Sequence, residues 1–372
     1  MAAATPRPAR VPTGLVLAAA LLMMGLTGAA LAQECSNPCG CAYGVDFGEA
    51  LCGYANTTLD EILSQSQPDF AAALTIYTNG KNAFRDDLKT PRTMSGVAKR
   101  NYGAEGYYKL ASTHYGREFY LDSFLGAALR GDGDFAGKCC GVRAEAAKAG
   151  ARWFSAVYSI HEVDAGVCFA TGCNNRTINF PLAGEEVLHG MALMSGADPG
   201  PAATANPFTL FSASNAAARY LCNMKKKDTL APLNADAINV WKLAAAEAAA
   251  GNLDGLRGHY ADLEKSLAAR FMQYSLIEAR AAAQKLKTKE LEAADACRSP
   301  CVREAQQAAA HMYWRAAEPI VARDYPDQAA QVKSILAMPA PDKKAYKELS
   351  KAYKAIVEAM GLEPKKSLKK CK

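Results

Sequence analysis

All twelve cysteines of this chain follow residue 32, and the segment before them reads as an export signal. No other feature limits the fold as strongly, because a chain sent to an oxidising compartment is stapled by cross-links and keeps few free thiols. Arg7 and Arg10 make a basic start, Gly14 to Ala30 is apolar and uncharged, and Ala30-Leu31-Ala32 has the small-x-small pattern of a cleavage site. The expectation is a signal peptide over 1–32, cut after Ala32. The apolar run is short for a retained membrane anchor. No later stretch is long and apolar enough to span a bilayer. The mature chain is therefore expected to be secreted into an extracellular or periplasmic space and not to be an integral membrane protein. Asn56-Thr57-Thr58 and Asn175-Arg176-Thr177 are sequons, which make Asn56 and Asn175 candidate glycosylation sites.

Behind the signal the pattern is helical and strand signals are nearly absent, so the class is all-α. Residues 33–57 form a Cys-rich cap holding Cys35, Cys39, Cys41 and Cys52, where disulfides are favoured over a zinc cluster. Helices are expected from Leu59 to the Asn79-Gly80 stop, from Ala104 to Arg130, and from Glu145 to Asp164. Others are expected over Ala235–Ala250, Leu253–Leu291, Val302–Arg323 and Lys343–Met360. Lys81 to Tyr102 and Gly196 to Pro207 read as irregular connections.

An internal repeat divides the body. Tyr158-Ser-Ile-His-Glu162 matches Tyr274-Ser-Leu-Ile-Glu278 at an offset of 116, and Thr90-Pro-Arg-Thr matches Asn206-Pro-Phe-Thr at the same offset. Cys168 and Cys173 correspond in order to Cys297 and Cys301, and Glu185-x3-His189 to Gln307-x3-His311. A period this long does not suit a solenoid; it suits a duplicated helical bundle of two pseudo-symmetric, disulfide-stapled halves. The expected units are 58–196 and 197–330, followed by a C-terminal helix and Lys-rich tail over 331–372. On this pattern Cys168–Cys173 and Cys297–Cys301 each close locally. Cys139 and Cys140, adjacent and strained as a mutual pair, are expected to reach Cys222, Cys371 or the N-terminal group.

The richest stretch for chemistry runs from Trp153 to Gly196, read as a helix, a stapled turn and a second helix. It carries two of the five histidines. His161, Glu162 and Asp164 lie at the end of the first, apolar helix, where a carboxylate needs a partner. Glu185, Glu186 and His189 lie on the second. Glu186 and His189 are three apart and Glu185 and His189 four apart, spacings that let carboxylate and imidazole converge on one helix face. Glu-x-x-His is the half-motif of di-iron carboxylate bundles. The repeat has Gln307, Ala308 and His311 in the matching places, so a mononuclear or open site is expected over a closed di-iron one. The competing reading is a buried Tyr/Glu/His network that joins the halves without metal. His114-x3-Glu118 is a weaker chelating pair, and Asp132-Gly-Asp134 reads as a turn.

The formal net charge is +6, but residues 342–372 alone hold that surplus in ten lysines and four acids. The body is slightly acidic and has no basic, aromatic-interleaved face, which argues against nucleic acid. The tail is a solvated helix end or a contact for a cell-wall polyanion. No G-x-S-x-G, phosphate loop or H-E-x-x-H occurs, so hydrolase and oxidoreductase chemistry have little support.

The signal segment, the duplicated helical body and the segments Tyr77-Thr-Asn-Gly80, Asp122-Ser-Phe-Leu-Gly-Ala-Ala-Leu129 and Tyr158-Ser-Ile-His-Glu-Val-Asp164 resemble the low-iron-inducible periplasmic proteins of green algae, the iron-assimilation proteins. The resemblance covers residues 60 to 330; the cysteine cap and lysine tail fall outside it. It implies a secreted, non-enzymatic protein that assists iron uptake, with iron as cargo and a plasma-membrane iron transporter as partner. It supplies no ligand motif, so the six candidate metal ligands stand on the residues alone. A ligand-free structural cell-surface protein and a metal-dependent oxidase are the alternatives.

Overall fold

A computed structural model describes residues 56–81, 90–100, 106–195, 209–224, 228–284, 297, 301–338, 341–364 and 368. The expected signal segment, the cap cysteines, the whole Gly196–Pro207 linker, the end of the Leu253–Leu291 helix and Cys371 lie outside them. Every regular element among the described residues is helical, which agrees with the all-α reading. In chain order these are α1 (Asn56–Leu63), α2 (Phe70–Asn79), α3 (Met94–Ala98), α4 (Gly106–Tyr115), a π turn (Asp122–Gly126) continuing into α5 (Ala127–Arg130), α6 (Cys140–Thr171), α7 (Phe180–Ser195), α8 (Leu210–Tyr220), α9 (Pro232–Ala249), α10 (Leu253–Ala282), α11 (Val302–Asp324), α12 (Pro326–Leu336) and α13 (Lys343–Ala359).

The organising element is α6, 32 residues long and buried on several faces through Trp153, Phe154, Val157, Ile160 and Val163. It extends well beyond the expected Glu145–Asp164. Alanines on successive turns carry the helix in both directions at little entropic cost. Gly172 stops it in the left-handed conformation, its N–H donating to the Cys168 carbonyl. The long helices close a ring: α6 packs on α7, α7 on α9, α9 on α10, α10 on α11, and α11 back on α6. The hairpins α6–α7 and α10–α11 are the two most extensive contacts, but α7 rests on α9 while α11 rests on α6.

Two departures from the helix expectations have local causes. Ala104–Arg130 is not one helix; α4 ends at Tyr115 and Gly116 takes a positive φ of 60°. The chain resumes in a π turn whose Asp122 carboxylate accepts from the Tyr77 hydroxyl at 2.8 Å and faces Arg130 and Lys99. Asp324-Tyr325-Pro326 does end α11, but Pro326 also opens α12, because proline's missing N–H is harmless in a first turn. Within α11, Pro319 cannot donate to the Arg315 carbonyl. The Tyr115 hydroxyl donates to that carbonyl at 2.7 Å, and Tyr107 does the same for Ala316 at 2.8 Å. Thus α4 completes the backbone bonding of α11.

The cysteine expectations are half corrected. Cys168–Cys173 closes locally across the α6–α7 turn, as expected. Cys297 and Cys301 do not bond to each other: Cys139 pairs with Cys301 and Cys140 with Cys297. The reason is where the helices start. Cys139 caps the N-terminus of α6 and Cys301 that of α11, and the packing of those helices brings the vicinal pair against the second pair. Cys139 and Cys140 therefore do not reach Cys222, which is disulfide-bonded elsewhere. Among the described residues, no helix is long and apolar enough to cross a membrane.

Candidate metal centre

The face of α6 that meets α7 is set by small residues. A Cβ on Gly166 would lie 2.8 Å from the Ala183 carbonyl and 2.9 Å from Val187, and one on Gly190 would overlap the Ser159 carbonyl and the Trp241 ring. The two backbones therefore approach closely at both ends of one patch. Ser159 Oγ donates to the Gly190 carbonyl at 2.5 Å and fixes the helices in register. Glu162 lies three residues after Ser159 and four before Gly166, so it points into this contact. On α7, Glu186 stands three after Ala183 and four before Gly190, and it faces back.

Glu162, Glu186 and His189 accordingly converge, with one ligand atom from each lying within 4.8 Å of the others. Glu162 is buried, while the side chains of Glu186 and His189 keep 17% and 23% of their exposure. His189 Nδ1 meets Glu186 Oε2 at 2.7 Å, so carboxylate and imidazole already face each other. Burial by itself raises the Glu186 carboxyl; the hydrogen bond and charge of His189, a hydrogen bond with Glu162 and the field of Arg176 outweigh it and hold it below the ordinary glutamate value. A carboxyl–carboxyl hydrogen bond requires one shared proton. A cation placed between them does the same neutralising work and takes up the imidazole as well. Donors at about 2.1 Å from one ion stand about 3 Å apart, so the three atoms, now within 4.8 Å, would draw closer to hold one ion.

The other three candidates do not join this group. Asp164, about 200° further round α6 than Glu162, points toward α10 and accepts from the Tyr260 hydroxyl at 3.2 Å. The His161 ring stands 5.4 Å from that of Tyr158. Glu185 is exposed on α7. His114, proposed to pair with Glu118, instead faces Glu318 on α11 at 3.5 Å. Asn175 is exposed in the turn after Cys173, accessible to modification, and Asn56 opens α1.

The corresponding places in α10 and α11 are used differently. His311 Nε2 donates to the Leu336 carbonyl at 2.5 Å, and Gln307 donates to the Leu336 and Met338 carbonyls. Burial lowers the pKa of His311, in keeping with a neutral ring. These two side chains fasten the end of α12. Glu278, 116 residues after Glu162, lies among Glu145, Lys148 and Arg152, and burial and the Glu145 charge push its carboxyl up to about 7. Sequence reasoning passed over the glycines that create the patch. Their signal was present as Gly166, Gly184 and Gly190 within otherwise helical segments, where an interior glycine marks a close approach.

No family model matches the chain, and neither a curated protein nor a solved structure matches it.

Proposed function

We propose that this is an exported, non-enzymatic protein that binds iron at Glu162, Glu186 and His189 and assists iron assimilation. The observation that carries the reading is the convergence of those three donors within 4.8 Å at a half-buried helix contact. Two hard carboxylates with one imidazole suit ferric or ferrous iron better than a soft metal. A three-donor set leaves coordination positions open, which fits an ion that is taken up and passed on. The export signal, the cross-links and the exposed sequon at Asn175 support an extracytoplasmic, glycosylated protein that hands iron to a plasma-membrane transporter. The reading also takes α6–α7 and α10–α11 as copies of one unit, the first holding the ion and the second fastening α12.

A second reading has one observation in its favour. The Glu186–His189 pair at 2.7 Å is already satisfied, as a purely structural network would be. Titration of the purified mature protein with Fe(III), Fe(II) and Zn(II) separates the two. Iron binding that weakens at least tenfold in Glu186→Ala and in His189→Ala is the expected result. Unchanged affinity in both variants removes the site, and no binding above background leaves the structural reading in place.

A further inference from the structure

The outward face of α13 is a row of lysines. Leu349, Tyr353, Ile356 and Val357 turn into the core. At about 100° and 1.5 Å per residue, Lys343, Lys344, Lys347, Lys351 and Lys354 fall on the opposite side, within an arc of about 100° and a length of about 16 Å. Lys354 is half-buried and the others are exposed.

Within the chain this arrangement is unfavourable. Lys343 and Lys344 occupy the first turn, at the positive end of the helix dipole, where acidic residues are favoured. Lys343, Lys347 and Lys351 follow at intervals of four, a spacing at which like charges repel. The carboxylates of the helix offset little of this. Glu348 pairs with Lys351 at 3.0 Å, and Glu358 stands in the last turn. Asp342 is engaged as the cap, its carboxylate accepting from the Lys344 and Ala345 N–H groups at 2.8 Å. Arg303 adds a charge at the same end, its Nη2 donating to the Pro341 carbonyl at 3.1 Å.

An aromatic edge adjoins the row. Tyr346, three residues after Lys343, is half-buried beside Arg280 of α10 and Tyr220 of α8, whose charges both act on its hydroxyl. The Tyr220 ring is 43% exposed, with the Arg280 guanidinium 5.1 Å from its centre.

We propose that α13, with Tyr220 and Arg280 at its edge, is a docking face for a linear acidic polysaccharide bearing sulfate or carboxylate groups. Anionic groups repeated along one polymer meet the whole row and relieve its self-repulsion, which a single small anion cannot do. An exposed ring suits a sugar, whose pyranose presents a patch of C–H groups, better than it suits an acidic peptide. A bilayer fits less well, because a helix lying on a membrane inserts an apolar face, and that of α13 is buried in the core.

The test is equilibrium binding of the full mature chain to dextran sulfate and to polygalacturonate at fixed ionic strength. Neutral dextran, poly-glutamate and phosphatidylserine vesicles serve for comparison. At least one acidic polysaccharide should bind, the tighter of the two identifying the acidic group. Dextran should not bind, and poly-glutamate should bind at least about threefold more weakly. The triple variant Lys343→Gln, Lys347→Gln, Lys354→Gln should lose about tenfold in affinity, with a thermal midpoint at or above that of the wild type because repulsion is relieved. Tyr220→Ala should lose about threefold for the polysaccharide and nothing for poly-glutamate. Removing the same charge at Lys109, Lys138 and Lys242, exposed lysines on other elements, should change nothing. The docking face is overturned if neither acidic polysaccharide binds, if poly-glutamate or the vesicles bind as tightly, if the second triple variant loses as much as the first, or if Tyr220→Ala has no effect.

Discussion

Gly190 holds α7 against both of its neighbours at once. A Cβ there would overlap the Ser159 carbonyl of α6 and come within 2.6 Å of the Trp241 ring of α9. Gly190→Ala should therefore destabilise the chain by about 2–3 kcal/mol through overpacking, read as a lower denaturation midpoint in urea. It should also weaken metal binding, because the separation of α6 and α7 sets the distance from Glu162 to Glu186. Glu278 offers a second test of a single residue. Its folded carboxyl is raised from 4.5 to about 7, first by burial and then by Glu145. The folded state thus holds a proton that the unfolded chain has released, and stability falls as pH rises between those values. Glu278→Gln should leave stability unchanged near pH 4 and raise it near pH 8 by at most about 3 kcal/mol, measured by denaturant unfolding at both pH values. At this scale the Glu186–His189 spacing was readable because both residues sit on one helix. Asp164 was misread because each helical residue turns by about 100°, and grouping by nearness along the chain ignores that rotation.

Among the elements, the start of α6 and the start of α11 are joined twice, by Cys139–Cys301 and Cys140–Cys297. The two bridges are not equivalent to two independent ones. Once either is closed, the other closes only the few residues between 297 and 301 with the adjacent 139–140. In the chain-entropy account a long loop contributes about 5 kcal/mol and a very short one about 2. Replacing Cys139 and Cys301 with serine should then cost about 2 kcal/mol, as should replacing Cys140 and Cys297. Replacing all four should cost about 7 kcal/mol, far more than the two doubles added. Denaturation midpoints of the three variants measure this, and equal, additive losses would show that the bridges act separately. Cys168–Cys173 was legible because a five-residue span can close inside one turn. The clamp was not, because which helix ends meet is a property of packing. The same limit hid α8 and α12, short helices that need neighbours to be stable. In contrast, the apolar periodicity of the long helices is local, and so they were visible.

At the scale of the molecule, the ring of long helices places every ligand of the candidate metal centre on one hairpin. Glu162 comes from α6, and Glu186 and His189 come from α7. In the other hairpin, the histidine and glutamine hold the carbonyls at the end of α12. The fold class was legible from composition and periodicity, whereas this division of labour was not, since a repeat in sequence does not say what each copy touches. It leads to a prediction about number. Iron should bind with a stoichiometry of one ion per chain, not two, by calorimetric titration. His311→Ala should keep that stoichiometry and the affinity while destabilising the fold, because it frees the end of α12 and removes no ligand. His189→Ala should abolish binding and cost the metal-free chain about 1 kcal/mol through the lost pair with Glu186. Iron at a hundredfold excess over its dissociation constant should raise wild-type stability by about 2.7 kcal/mol, and the rise should vanish in His189→Ala but persist in His311→Ala. A second ion bound by the wild type and lost in His311→Ala would place a ligand set in the α10–α11 hairpin and defeat the asymmetric arrangement.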